Sequence, residues 1–196
     1  MSRARGGGRC PHRSDAVLVG VLALQGGFEA HSKSLARLGV EYREVRTAED
    51  LEGLDALVIP GGESTTIGLG VEREGLAEPL VDFARSGKPV LGTCAGMIML
   101  DRDHLGVIDI GVRRNAFGRQ LASFETELDF DGTPLDAVFI RAPWVEDVGE
   151  QVEVLAEVDG HPVAVRQGSV LAVAFHPELS EDLTLHQWLV DRVHAA

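Results

Sequence analysis

Through the first half of the chain, apolar runs of strand length alternate with amphipathic stretches. AVLVGVLAL (16–24) is continuously apolar, the pattern of a strand covered on both faces. QGGFEAHSKSLARLG follows it, with Phe28, Leu35 and Leu38 near one helical face and Gly39 placed to end the helix. EYREVR (41–46) alternates like a short strand, and DALVIP (55–60) is a second buried run. GLAEPLVDFARSG (75–87) reads as a helix ending at Gly87, and KPVLGTC (88–94) as the next strand. Strands alternating with helices predict βαβ units and an α/β fold: a mostly parallel central sheet flanked by helices.

The pattern changes in the C-terminal half. FETELDF (124–130), AVFIRAP (137–143), QVEVLAEVDG (151–160) and HPVAVRQGSVLAVAF (161–175) are strand-like and joined by the turn signals DGT, DGHP and RQGS. They predict antiparallel additions at the sheet edge. SEDLTLHQWLVDRVHAA (180–196) closes the chain as a helix, with Ser180 as its N-cap and Glu181 and Asp182 in its first turn. Residues 1–15, rich in Arg and Gly and poor in apolar side chains, read as a flexible basic tail, leaving 16–196 as one domain.

Composition narrows the possible roles. A length of 196 residues, 44% of them hydrophobic, suits a single domain with a sizeable core. A formal net charge of −13 disfavours nucleic-acid or anionic-membrane binding, since both need basic surface. No apolar run approaches the roughly 20 residues that span a bilayer, and the N-terminus lacks a secretory apolar segment; a cytoplasmic location is expected. Cys10 lies in the tail, so Cys10 and Cys94 are expected to be free thiols in a reducing compartment. The Cys-Pro-His run at 10–12 does not make a metal site on its own.

Candidate chemistry begins at VLGTCAGMIML (90–100). Gly92 and Gly96 flank Cys94 at i−2 and i+2, the spacing of a nucleophile elbow with Cys as nucleophile. In such a turn the nucleophile takes a sparsely allowed conformation at a helix N-terminus, and the next N–H, from Ala95, can face an oxyanion. A buried core cysteine fits the same five residues. FHPE (175–178) supplies His176 and Glu178 one residue apart; on an extended segment both project to one side, as a base and its orienter must. The bland alternative is a strand-end His beside a solvated Glu. IPGGESTT (59–66) is a turn after a buried strand, with N–H groups placed to bind an anion and Ser64 or Thr65 placed to cap a helix. It lacks the phosphate-loop lysine, and QGG (25–27) lacks a dinucleotide fingerprint. Arg114 and Arg141 are candidates to hold a substrate carboxylate bidentately.

A cysteine elbow, a PGG loop and an HPE in this order on an α/β chain resemble the class I, or triad, glutamine amidotransferases with their flavodoxin-like fold. LQGGFEAH, PGGESTT, GTCAGMI, RRNAFGRQLASFE, FIRAP and FHPEL carry the likeness further, to the glutaminase subunits of the two-protein pyridoxal 5′-phosphate synthases. The resemblance covers the chain from about Val17 to its end. It implies that Cys94 attacks the amide of L-glutamine to form a γ-glutamyl thioester, with His176 as acid and base and Glu178 orienting it. It implies an oxyanion hole from the N–H groups of Gly62 and Ala95, and glutamine binding by Gly62, Glu63, Ser64, Arg114, Ile140 and Arg141. It implies no cofactor, no metal, and a synthase partner in a hetero-oligomer that takes the ammonia for vitamin B6 synthesis. A glutaminase serving another synthase and a non-catalytic interaction protein on the same scaffold stand as alternatives. The family usually carries a longer segment between the elbow helix and the strand that leads into Arg114, whereas only residues 101–111 bridge it here; either the helix ends early or the loop is shortened.

Overall fold

The computed structural model describes residues 16–117 and 123–195. The tail assigned to residues 1–15, with Cys10, lies outside these residues. Five parallel strands form the spine: β1 (Leu18–Leu22), β2 (Glu41–Val45), β3 (Ala56–Ile59), β4 (Val90–Thr93) and β11 (Val170–Val173). The seven-stranded sheet runs β2-β1-β3-β4-β11, then β10 (His161–Gln167) antiparallel to β11 and β9 (Glu153–Val158) antiparallel to β10. This is the flavodoxin-like order, and the central strands are buried end to end, as their unbroken apolar sequences predict.

Helices α1 (Phe28–Arg37), α2 (Ser64–Arg73), α3 (Ala77–Arg85), α4 (Ala95–Leu100) and α5 (Thr184–Ala195) accompany the sheet. Gly39 takes φ +71 after α1, and Val40 N–H returns to Leu35 O at 3.0 Å, the hydrogen bond of a left-handed helix stop. Two expected caps are displaced. The side chain capping α2 belongs to Glu63, which accepts from the N–H groups of Thr65 and Thr66. The α5 helix starts at Thr184, whose N–H is held by Asp182 at 2.7 Å. Ser180 instead closes a single 3-10 turn over 177–179.

The edge addition is also narrower than expected. Strand β11 is not an edge addition at all but pairs parallel with β4 inside the sheet, and only β10 and β9 extend that sheet by antiparallel pairing. The segments around FETELDF and AVFIRAP pair with each other as a separate hairpin, β6 (Ser123–Phe130) and β7 (Thr133–Ile140). A further pair joins β5 (Ile110–Arg113) to β8 (Trp144–Val148). Both Asp-Gly turns have positive φ at both residues, at 131–132 and 159–160, which matches the right-handed twist of the flanking strands.

The short connection closes tightly. Helix α4 stops after six residues. Buried Asp101 then accepts from the N–H groups of Asp103 and His104, and Gly106 N–H returns to Asp101 O at 2.8 Å. Arg102 ties the segment down through Asp109 and Asp147.

Candidate active site

Four neighbouring parallel strands, β1, β3, β4 and β11, end on the same side of the sheet, and the segments that follow them build one cavity of about 310 Å³. Ligand sites of open α/β sheets lie beyond the carboxyl ends of the strands. Nine of the residues singled out from sequence line it: Gly62, Glu63, Ser64, Cys94, Ala95, Arg114, Ile140, Arg141 and His176. Glu178 stands behind His176, with its side chain 2% exposed.

Cys94 is the joint between β4 and α4, at φ +48 and ψ −104. Such backbone costs on the order of 1–3 kcal/mol and persists only where its surroundings enforce it. Here they do: Cys94 N–H is bound to Val173 O at 2.8 Å, and the next turn packs against β3. Gly96 is required by that packing, because a Cβ there would sit 2.0 Å from Ile59 O. Gly92 faces the same constraint, its Cβ position lying 2.9 Å from Gly96 O. Asn115 and Arg141 also hold positive φ, at 47° and 44°, so three strained non-glycine residues line one cavity.

His176 Nδ1–H donates to Glu178 Oε1 at 2.7 Å, and Cys94 lines the same cavity as the ring. The expected extended segment is absent. Pro177 opens a 3-10 turn instead, and this turn brings the i and i+2 side chains together. Burial opposes the charged imidazolium, but the hydrogen bonds and charges of Cys94 and Glu178 outweigh it and push His176 up to about 10. Burial likewise works to raise the Glu178 carboxyl; the adjoining His31 and His176 overcome it and hold the group well below the usual carboxylate range. A buried carboxylate, an imidazolium and a thiol in sequence form a nucleophile, base and orienter.

At the cavity rim, hydrogen bonds from Thr66 and Thr65 hold Glu63 down to about 2, so it is ionised. Arg114 donates from Nη2 to His104 Nε2 at 3.0 Å, and His104 Nδ1 meets buried Asp101 Oδ1 at 2.7 Å. His104 must therefore be neutral at Nε2 to accept. The short 101–111 connection thus supplies the side chain that steadies Arg114.

Sequence reading missed several participants. Gln25 accepts the Glu63 N–H at 2.7 Å, and Gly27 N–H bonds Gly61 O at 2.9 Å, so QGG is a buttress for the PGG loop. Gly26, at φ +100, would carry a Cβ 1.9 Å from Gly61 O. Its signal was a glycine pair directly after a buried strand. His31 and Thr93 were missed as well; His31 was visible only as a polar residue on the apolar face of α1.

The fold is that of the class I glutamine amidotransferases. A solved structure described as a glutamine amidotransferase superposes with TM-score 0.86 at 48% identity, covering 90% of this chain and 98% of its own. A putative GMP synthase protein from Thermoplasma acidophilum shares the fold at TM-score 0.70 and 16% identity, covering 93% of this chain and 96% of its own. The chain belongs to the SNO glutamine amidotransferase family, whose model matches residues 21–195. Pyridoxal 5′-phosphate synthase subunit PdxT of Corynebacterium jeikeium is 53% identical over 189 residues, spanning 90% of this chain and 97% of its own. The PdxT subunit of Mycobacteroides abscessus is 55% identical, spanning 91% and 98%. Among the described residues no helix is long and apolar enough to cross a membrane.

Proposed function

We propose that the chain is the glutaminase subunit of a pyridoxal 5′-phosphate synthase, hydrolysing L-glutamine to glutamate and ammonia for a synthase partner in the cytoplasm. The observation that carries the reading is the strained Cys94, which shares its cavity with a His176 that buried Glu178 holds at 2.7 Å. The Cys94 thiolate attacks the side-chain amide carbon. The oxyanion that forms is held by the N–H groups of Gly62 and Ala95. His176 gives its proton to the departing ammonia, leaving a γ-glutamyl thioester. It then takes a proton from water, and the resulting hydroxide releases glutamate and restores the thiolate.

Substrate ends are matched by charge. Arg114 and Arg141 face the α-carboxylate, and ionised Glu63 faces the α-ammonium group. Arg114→Ala is expected to raise KM for glutamine by about tenfold or more and to change kcat far less, since the guanidinium it removes binds the end of the substrate remote from the reacting amide. Steady-state ammonia release measures both, and an unchanged KM counts against this placement.

The partner is tested by assaying ammonia release with and without the synthase subunit of the same organism. Stimulation by that partner and co-elution as a hetero-oligomer are expected. Turnover of glutamine that is indifferent to the partner would contradict the assignment to this synthase.

A further inference from the structure

Behind the His176–Glu178 pair lies a buried polar cluster to which the reaction above gives no role. His31, on the inward face of α1, and His186, on α5, are both fully buried. His31 Nδ1 is 2.9 Å from His186 Nε2, while its Nε2 is 3.1 Å from Thr93 Oγ1 and 3.2 Å from Glu178 Oε2. Thr93 Oγ1 accepts the N–H of Gly61 at 3.0 Å. Three segments of the site therefore converge on one imidazole: the turn bearing His176 and Glu178, the strand end before Cys94, and the loop before Gly62. Hydrogen bonds join His186, His31, Thr93 and Gly61 in series.

Its proton positions follow from the geometry. A bare Nε2 on His31 would aim a lone pair at a carboxylate oxygen 3.2 Å away in a dry interior, so the proton sits on Nε2. His186 Nδ1 is buried without a partner. An orphaned acceptor is better tolerated than an orphaned N–H, which places the His186 proton on Nε2, donating to His31 Nδ1. Burial foremost pushes His186 down to about 3, keeping it neutral.

We propose that His31 is a positioning residue for the triad: its Nε2–H donates to Thr93 Oγ1, which registers the Gly61–Gly62 loop against Cys94, and the same polar edge lies 3.2 Å from the second oxygen of Glu178, an oxygen with no hydrogen bond of its own, and steadies it electrostatically. The inference rests on the glutaminase reading above. When His176 gives up its proton to ammonia, its hold on Glu178 weakens. With the polar Nε2–H edge of His31 still 3.2 Å from its other oxygen, the carboxylate does not rotate away before His176 must act again as a base. Gly27 packs the start of α1 against Glu178, its Cβ position lying 3.0 Å from Oε1, so the helix that carries His31 is itself fixed to the triad.

The test compares His31→Gln, His31→Asn and His31→Leu in the full chain with its synthase subunit. A glutamine amide N–H reaches where Nε2 sits; an asparagine amide reaches only where Nδ1 sits. His31→Asn and His31→Leu are expected to lose on the order of 10²-fold in kcat, the cost of an Ångström-scale misplacement, with KM for glutamine little changed. His31→Gln is expected to recover at least about tenfold of that loss by restoring the donor. Alkylation of Cys94 by iodoacetamide, which reads the pairing with His176, follows the same order. Should His31→Leu not fold, the Asn and Gln pair decides. Equal kcat for Asn and Gln, or wild-type kcat in either Asn or Leu, overturns the inference while the glutaminase reading stands. No ammonia from the unmutated complex overturns both.

Discussion

Cys94→Ser is expected to release ammonia at least about 10³-fold more slowly than the unmutated protein, at unchanged thermal stability. The loss follows from the nucleophile. Sulfur is an intrinsically stronger nucleophile than a hydroxyl, and a serine alcohol attacks an amide only with a general base to take its proton, which a protonated His176 cannot be. The fold is spared because the side chain lies against the cavity and the two residues are close in size. The backbone at φ +48 is imposed by β11 and by the packing of α4 on β3, and neither involves the sulfur. Ammonia release and thermal unfolding of the same preparation measure both halves. Activity within about tenfold of wild type, or a collapsed Tm, would remove Cys94 from the role assigned to it.

Gly96→Ala carries the largest expected effect on stability. The added methyl would meet a backbone carbonyl, Ile59 O, at 2.0 Å, and no flexible side chain can yield to relieve it. Strand β3 and helix α4 must separate, which opens the core between them. A loss above about 3 kcal/mol is expected, as for overpacked cores at the severe end. Gly68→Ala is the matched control: it too lies in a helix, but its nearest neighbour is the Met99 sulfur at 4.0 Å. There alanine is expected to be neutral or stabilising by up to about 1 kcal/mol. Denaturant unfolding of both variants checks the pair, and near-equal stabilities would refute the close approach of α4 to β3 as the reason for glycine at the elbow.

Much of the scaffold was legible because buried parallel strands leave unbroken apolar runs, and glycine-terminated helices lie between them. The elbow was legible for the same local reason: Gly-Thr-Cys-Ala-Gly keeps both neighbours small. Asp131–Gly132 and Asp159–Gly160 announced their hairpins through positions that need positive φ. The sequence pattern did not say which strands pair beyond each turn. Alternation in FETELDF marks a half-buried strand, yet the same alternation serves a main-sheet edge or a separate hairpin.

The α2 cap went to Glu63 rather than Ser64 because its longer side chain reaches both Thr65 and Thr66. Glutamate is a rarer cap than serine or threonine, so composition pointed past it to Ser64 or Thr65. His31 was hidden for another reason: one polar residue on an apolar helix face reads as an imperfection until its partners are known. Those partners come from residues 62, 147 and 155 positions away in sequence, and only the assembled fold brings them together.

The central claim is that Cys94 forms a covalent bond with the side-chain carbon of glutamine. The most direct measurement is the intact mass of the protein, in complex with its synthase partner, after incubation with a diazoketone analogue of glutamine, followed by peptide mapping. One equivalent of label on Cys94, slowed by added glutamine and absent from Cys94→Ser, is the predicted result. A Cys94 that stays unlabelled, or that is labelled at the same rate with saturating glutamine present, would contradict the account.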